Sequence, residues 1–296
     1  MNVSVVVPTR RRPRQLAATV ESILSNPGDD WELIVVDQGG TVDSEQALID
    51  AGLLADHRLR YHSQSSRGAC RARNYGLALA SGDLLIFTDD DCIVPADWID
   101  GVKRWFVDVP DLAVLFGAVK APPSSDGWIA QFEPVVEGVV ALRPRNVIRS
   151  LGLAGNMAVR RQAFDRIGAF DELLGAGAVF APSDDTDYGY RALRLGLKVV
   201  AASEPMVIHH GIQRAGKQSA GYLVGMAAMC AKHVRCGDVR MLIPPLTTMT
   251  ALLGRGTLRL LTGRRPSGYR GAAGIVHGFV GSLRYGVDTR TRLYQA

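Results

Sequence analysis

Apolar residues in this chain gather into short continuous runs that alternate with stretches of helical spacing, each closed by polar, Gly or Pro punctuation. Val3–Val7, Trp31–Val36, Leu84–Phe87 and Leu112–Val119 have the length and branched character of strands buried on both faces. Arg14–Ser25 sets Leu16, Val20, Ile23 and Leu24 on one helical face and is stopped by Asn26-Pro27-Gly28. Ser44–Ala51 predicts a short helix, Leu59–His62 a strand, and Gly68–Ala80 a helix closed by Ser81-Gly82, while Pro95 starts a helical segment over Ala96–Phe106. Further on, Leu151–Val159 reads as a strand interrupted at Gly155-Asn156 and Arg161–Ile167 as a helix. Asp184–Leu195 reads as a helix N-capped by Ser183 and ended by Gly196, with Leu197–Ala202 and Met206–His210 as the last extended pieces. Pro122–Gly127 is a loop, and the Gly- and Ala-rich stretch Leu173–Pro182 is expected to move over a site. This rhythm predicts an α/β domain: a mostly parallel sheet with right-handed crossovers and helices on both faces.

Beyond residue 211 the pattern changes. Tyr222–Val234, Leu246–Leu261 and Ala272–Tyr285 are apolar helical segments punctuated by Arg and Gly, and each uncharged run falls short of the roughly 18 residues a spanning helix needs. The charge changes with it. Residues 211–296 hold 13 Lys+Arg against 2 Asp+Glu, a balance of +11, so the preceding 210 residues carry −6 within the net +5. We therefore expect a division into residues 1–212 and a basic helical extension, 213–296. Its helices would lie on the anionic inner face of a membrane, or use the same faces to pack on the α/β domain or on a second copy of the chain in a homo-oligomer. The tail lacks the interleaved aromatics of a nucleic-acid-stacking surface. Cys70, Cys92, Cys230 and Cys236 show no C-x-x-C spacing, and the Val3–Val7 run is followed by Arg10-Arg11-Arg12 rather than preceded by charge, so a cytoplasmic protein with reduced thiols is expected.

Candidate chemistry lies where the strands end. Leu84–Phe87 delivers Asp89-Asp90-Asp91 at its carboxyl end, the place where open α/β sheets hold ligands. Three adjacent carboxylates repel one another, and a hard divalent metal carrying phosphate oxygens would offset that repulsion economically. Asp37-Gln38 follows a second strand and Asp184–Asp187 opens a helix near a third. A metal-bound pyrophosphate at the central cluster would leave one further carboxylate free as general base. Arg10-Arg11-Arg12 is placed either to meet a diphosphate or in a solvated loop, and Cys92, among apolar neighbours, has a packing role.

Six motifs then occur in a recognisable order: Ser4-Val-Val-Val-Pro-Thr9; Glu32-Leu-Ile-Val-Val-Asp37; Ala72-Arg-Asn74 with Gly82-Asp83; Asp89-Asp-Asp91 before Pro95; Gly155-Asn156; and Asp184-Asp-Thr-Asp187 with Arg191 and Gly196. Over roughly residues 1–212 the chain resembles family 2 glycosyltransferases. The resemblance implies a GT-A fold, a nucleotide-sugar donor, Mg²⁺ or Mn²⁺, inversion by direct displacement, and a glycan or polyprenyl-linked acceptor. It also implies that Pro8, Thr9, Asp37 and Gln38 line the base and ribose pocket, that Arg73 approaches the nucleotide, and that Asp89, Asp90 and Asp91 share ribose and metal. In some GT-A enzymes a histidine at the place of His209-His210 completes the metal shell or touches the diphosphate, and a structural role is the alternative for this pair. Asp185 matches the general base, and Gly155, Asn156 and Asp184 match the acceptor region. Two positions depart from the pattern: Gln38 stands where many relatives have a second acid, and Asp184 stands for a glutamate. A nucleotidyltransferase on the same sheet would need a glycine-rich loop after the first strand, and Pro8–Pro13 contains no glycine. A non-enzymatic binder of nucleic acid or anionic surfaces through the basic tail is the other alternative.

Overall fold

Strand β1 (Val3–Thr9) is buried along its whole length, as suits a strand with Val3 and Val5–Val7 on both of its faces. The computed structural model describes residues 1–39, 42–123, 130–142, 147–180, 182–211, 217–265 and 267–295. After β1 come α1 (Pro13–Leu24), with proline at its start and Leu16, Val20 and Ile23 buried, then β2 (Trp31–Asp37) and α2 (Val42–Asp50). Next are β3 (Leu59–Ser63), α3 (Ala69–Leu79), β4 (Leu84–Phe87), the two-residue β5 (Cys92–Ile93) and α4 (Trp98–Asp108). The second half holds β6 (Leu112–Lys120), β7 (Gly138–Val139), α5 (Val147–Ser150), β8 (Met157–Arg160), α6 (Arg161–Ile167), α7 (Asp184–Arg194) and β9 (Lys198–His209). The chain ends with α8 (Lys217–Arg235), α9 (Ile243–Leu261), α10 (Tyr269–Ser282) and a small hairpin, β10 (Gly286–Asp288) and β11 (Leu293–Gln295).

The strands form one sheet in the order β3-β2-β1-β4-β8-β6-β9-β5, with β7 beside β9. The first four run parallel, and β6 is parallel to β9. Strand β8 reverses the direction against both β4 and β6, because a 3₁₀ turn at Ala154–Asn156 feeds it straight from the loop side. The two extended pieces expected at 197–210 are one long strand. Its register against β6 shifts between Gly117 and Val119, and the bent end pairs His209 with Cys92 of β5. That bend, not local sequence, brings a histidine to the acids.

Ser183 does occupy the N-cap of α7, but it makes no capping bond; its Oγ donates to the Pro182 carbonyl at 2.6 Å. The Leu173–Pro182 stretch, Ala181 of which lies outside the described residues, is anchored in this structure. The Ala69 amide donates to Ala176 O at 3.0 Å, the Phe180 amide to Leu173 O at 2.9 Å, and Leu174 and Phe180 are buried.

The expected boundary at 212/213 also lies outside the described residues. On its far side α8 belongs to the same core as the sheet: Ala227, Ala228, Met229 and Cys230 are fully buried. Its Lys232 Nζ lies 2.6 Å from Asp171 Oδ2 and 2.7 Å from Asp187 Oδ1. His233 Nε2 reaches the same Asp187 oxygen at 2.8 Å, and Arg191 Nε holds the other at 2.9 Å. Burial alone would raise the Asp187 carboxyl, but Lys232, Arg191 and His233 outweigh it and hold it far below the usual range. Hairpin strand β11 closes the cluster, with the Tyr294 amide on Asp171 Oδ2 at 3.0 Å. Helices α9 and α10 pack on this core, α10 through Ile275 and Phe279 and α9 through Met249 and Leu252, and their other faces expose Leu253, Leu258, Leu260, Leu261, Val276 and Val280. Among the described residues no helix is long and apolar enough to cross a membrane.

Candidate active site

Where β1 and β4 end and α7 begins, the chain encloses a cavity of 320 Å³. Pro8, Thr9, Gln38, Arg73, Asp89–Asp91, Gly155, Asp184, Asp185 and His209, all expected from the sequence, are in its wall. Arg12 is there as well.

The protein itself offsets much of the repulsion within the acidic cluster, through cations and hydrogen-bond donors of its own. Asp89 Oδ1 is 2.7 Å from Arg73 Nη2, and the same guanidinium reaches Asp184 Oδ2 at 2.6 Å, so a buried arginine ties the β4 acids to the start of α7. Arg12 Nη1 lies 2.9 Å from Asp90 Oδ1 and 2.6 Å from Asp91 Oδ2, and Thr9 Oγ1 donates to Asp90 Oδ2 at 2.8 Å. Burial, helped by Asp91 and opposed by Arg12, pushes the Asp90 carboxyl up to about 6. His209 Nε2 stands 3.1 Å from Asp91 Oδ1 while its Nδ1 meets the Ala130 carbonyl at 3.0 Å. Burial would lower His209, but Asp91 outweighs it and raises the imidazole to about 9. For Asp91 the balance is reversed: burial raises the carboxyl, yet His209 and Arg12 bring it below its ordinary value.

A divalent ion fits the far end of this cluster. Asp91, Cys92 and His209 present ligand atoms within 4.8 Å of one another, and Asp91 Oδ1 is buried without an aligned hydrogen-bond partner. A carboxylate and an imidazole held by a backbone carbonyl are a donor pair that a divalent ion can use. The Cys92 thiol suits it less, because burial and the neighbouring acids push it well above its ordinary range and keep it protonated. Gly211 closes this corner: a Cβ there would overlap the Asp91 carboxylate and His209 Nε2.

Asp185 differs from the other four acids. Among the described residues no cation contacts it; its Oδ1 accepts from the Thr186 amide at 2.6 Å and from Thr186 Oγ1 at 3.3 Å. It is half-buried at the cavity wall. The crowding of protein around it, followed by the charge of Asp184, raises its carboxyl to about 7. A carboxylate free of ion pairs and poised near neutrality is what general-base chemistry needs. The turn before it is tight. Gly175 has φ +99°, and a Cβ there would come within 2.8 Å of Cys70 Sγ and 3.1 Å of Asp184.

Three expected residues are placed differently from one another. Gln38 faces the cavity and accepts the Gly68 amide at 2.7 Å. Asp37 does not line it: fully buried, it accepts from Tyr61 OH at 2.7 Å, and its Oδ1 has no partner. Asn156 is drawn away from the acceptor side altogether. Its Nδ2 donates to Ala118 O at 2.9 Å and Pro205 O at 2.8 Å, and its Oδ1 accepts from Trp98 Nε1 at 3.0 Å, so the amide is consumed in bracing β6, β9 and α4. Asn156→Ala should accordingly cost at least about 2 kcal/mol in urea unfolding, since it strands three buried polar groups, and leave nucleotide affinity unchanged. In the sequence, Arg12 fits a diphosphate contact and a solvated loop equally. Only its place just after Pro8-Thr9 hinted that it would turn into the cluster, after Arg11 at φ 54°.

Comparison with known proteins bears directly on this geometry. The model of glycosyl transferase family 2 matches residues 4–168, more than half of the chain. The chain belongs to glycosyl transferase family 2. Similar proteins include the glycosyltransferase GlyG of Streptococcus pneumoniae, 33% identical over 126 residues (42% of this chain and 41% of that one). A glucosyl-dolichyl phosphate glucuronosyltransferase of Haloferax volcanii is 27% identical over 186 residues (59% and 58%). The chain thus spans about half the length of these relatives. Among solved structures, the mannosyltransferase PcManGT of Pyrobaculum calidifontis, in complex with GDP-Man and Mn²⁺, superposes with a TM-score of 0.62 over 95% of this chain and 87% of that one, at 18% identity. TarS of Staphylococcus aureus gives 0.58 over 78% and 64%, also at 18%. These likenesses show the GT-A fold, here as a mixed sheet.

Proposed function

We propose that this family 2 glycosyltransferase moves a sugar from a nucleoside-diphosphate donor to an acceptor hydroxyl by direct, inverting displacement, with Asp185 as general base. The observation that carries the reading is the contrast among the cavity's acids: four are engaged by Arg12, Arg73 or His209, and Asp185 alone has no cation in contact among the described residues. Pro8, Thr9 and Gln38 would face the nucleoside, with Asp37 supporting Gln38 from behind. Arg73 fixes Asp89 and Asp184 relative to each other, so the donor and acceptor sides keep one spacing. Gly155 and Asp184 would border the acceptor. Asp91 and His209, with Asp89, would hold a Mg²⁺ or Mn²⁺ ion, which when bound supplies positive charge to the diphosphate leaving group. Arg12, half-exposed and paired with Asp90 and Asp91, would stand beside the phosphates. Support for a metal comes from the Mn²⁺ bound by PcManGT, and support for a lipid-linked acceptor from the name of the Haloferax relative. Family membership sets aside the nucleotidyltransferase alternative.

Calorimetric titration of UDP and of GDP, with Mn²⁺ and with chelator, tests the assignment. One of the two nucleotides should bind about ten-fold or more tighter with Mn²⁺, and Asp91→Ala should abolish that difference. Metal-dependent affinity unchanged in Asp91→Ala would remove Asp91 from the site.

A further inference from the structure

A second concavity, of 610 Å³, lies against the first. Two chain segments form the partition between them. Ala176 and Gly177 face the acidic cavity while Val179 and Phe180 face the groove, and at the start of α8 Tyr222 faces the cavity while Val224 faces the groove. The opposite wall is α10, which contributes Val276 and Val280. Val179, Val276 and Val280 are each more than half exposed, an unusual concentration of branched apolar surface in one depression. His277 and Arg284 also line it, no carboxylate does, and among the described residues no acid pairs with Arg284.

We infer that this groove binds the hydrocarbon chain of a phosphate-linked isoprenoid acceptor, with Arg284 and His277 meeting the phosphate and the sugar end directed past residues 176–180 toward Asp185. The inference rests on the glycosyltransferase reading above and gives its lipid-linked acceptor a binding site. An apolar floor with the Arg284 guanidinium and the His277 imidazole in its lining complements an amphiphile with an anionic head. A free oligosaccharide would find few hydrogen-bond partners there, because Val179, Phe180, Val224, Val276 and Val280 offer none from their side chains. The placement explains why the partition is anchored through Leu174 and Phe180: a fixed wall keeps the lipid site and the reacting hydroxyl in register. The exposed leucines of α9 lie outside the groove's lining.

Farnesyl phosphate is the probe, titrated below its micellar concentration into the full chain, with farnesol as the neutral control. Farnesyl phosphate should bind saturably, and farnesol about five-fold more weakly, the worth of one well-placed cation. Val280→Asp should weaken farnesyl phosphate about ten-fold or more by placing a charge on the apolar wall, and Arg284→Gln should erase the preference for phosphate over alcohol. Both variants alter exposed residues, and their nucleotide affinity should match wild type. Failure of every form to bind UDP or GDP, with farnesyl phosphate still bound, would sink the donor reading and leave the groove. Absence of saturable binding, or equal binding by Val280→Asp, would overturn the inference. So would a Val280→Asp variant that loses only adsorption to anionic vesicles, which would make the groove a membrane contact.

Discussion

Asp185→Asn should lower sugar transfer about 10²- to 10⁴-fold while nucleotide affinity stays within about two-fold of wild type. The amide keeps the volume of the carboxylate and can still accept from Thr186, so the cavity wall is preserved; what is lost is an atom able to take the acceptor's proton. Because the Asp185 carboxyl is raised to about 7, wild-type kcat should rise about ten-fold per pH unit below that value and level off above it. In the variant this limb should vanish. The sign for stability is opposite. A carboxyl whose folded value lies above its unfolded one favours folding at low pH and loses that contribution as pH rises from about 4 to about 7, so at pH 8 the neutral variant should be at least as stable as wild type. Activity within a few-fold of wild type would assign the base elsewhere. A rising limb that survives near pH 6 would point to Asp90, the other raised carboxyl in the cavity.

What could be read from the sequence was what continuous segments encode. Uninterrupted apolar runs announced β1, β2, β4 and β6, and Asp89–Asp91 had to stand at a strand end because Leu84–Phe87 has no polar face to offer solvent. Arrangements set by distant pairing were not legible. The reversal at β8 depends on which edge a four-residue strand joins, and nothing within Met157–Arg160 encodes that. The approach of His209 to Asp91 depends on a register shift between β6 and β9. Asn156 matches the acceptor region by resemblance alone, yet its partners Trp98, Ala118 and Pro205 come from three other segments. The tail misled through its charge. Lys232 counts toward +11 in the sequence, but in the fold it is fully buried and neutralised by Asp171 and Asp187. Helix α8 is therefore a core element, and the interfacial reading is left to the outer faces of α9 and α10.

That buried lysine carries the second large expectation. Lys232→Met should destabilise the protein by about 3–5 kcal/mol at pH 8, because methionine fills the volume but leaves two interior carboxylates short of a cation. Asp171 would keep only amide donors, from Leu173 and Tyr294, whereas Asp187 would retain Arg191 and His233. The pH dependence follows from His233. Burial, and after it the charge of Lys232, lower this imidazole to about 4 against an ordinary 6.5, although Asp187 pulls the other way. In wild type, then, folding expels the His233 proton, and the stability this contributes is complete above about pH 6.5 and lost as pH falls toward 4. Without Lys232 one opposing charge is gone and Asp187 favours the imidazolium, so His233 should protonate in the folded variant and supply the missing cation. The destabilisation measured by urea unfolding should consequently be largest at pH 8 and clearly smaller at pH 5.5. Asp187 sits within the first turn of α7, the turn that carries Asp185, so folded Lys232→Met protein should also lose kcat while keeping its nucleotide affinity. A variant as stable as wild type at pH 8 would show that α8 is held by its apolar face alone. An equal loss at both pH values would show that His233 does not take over the charge.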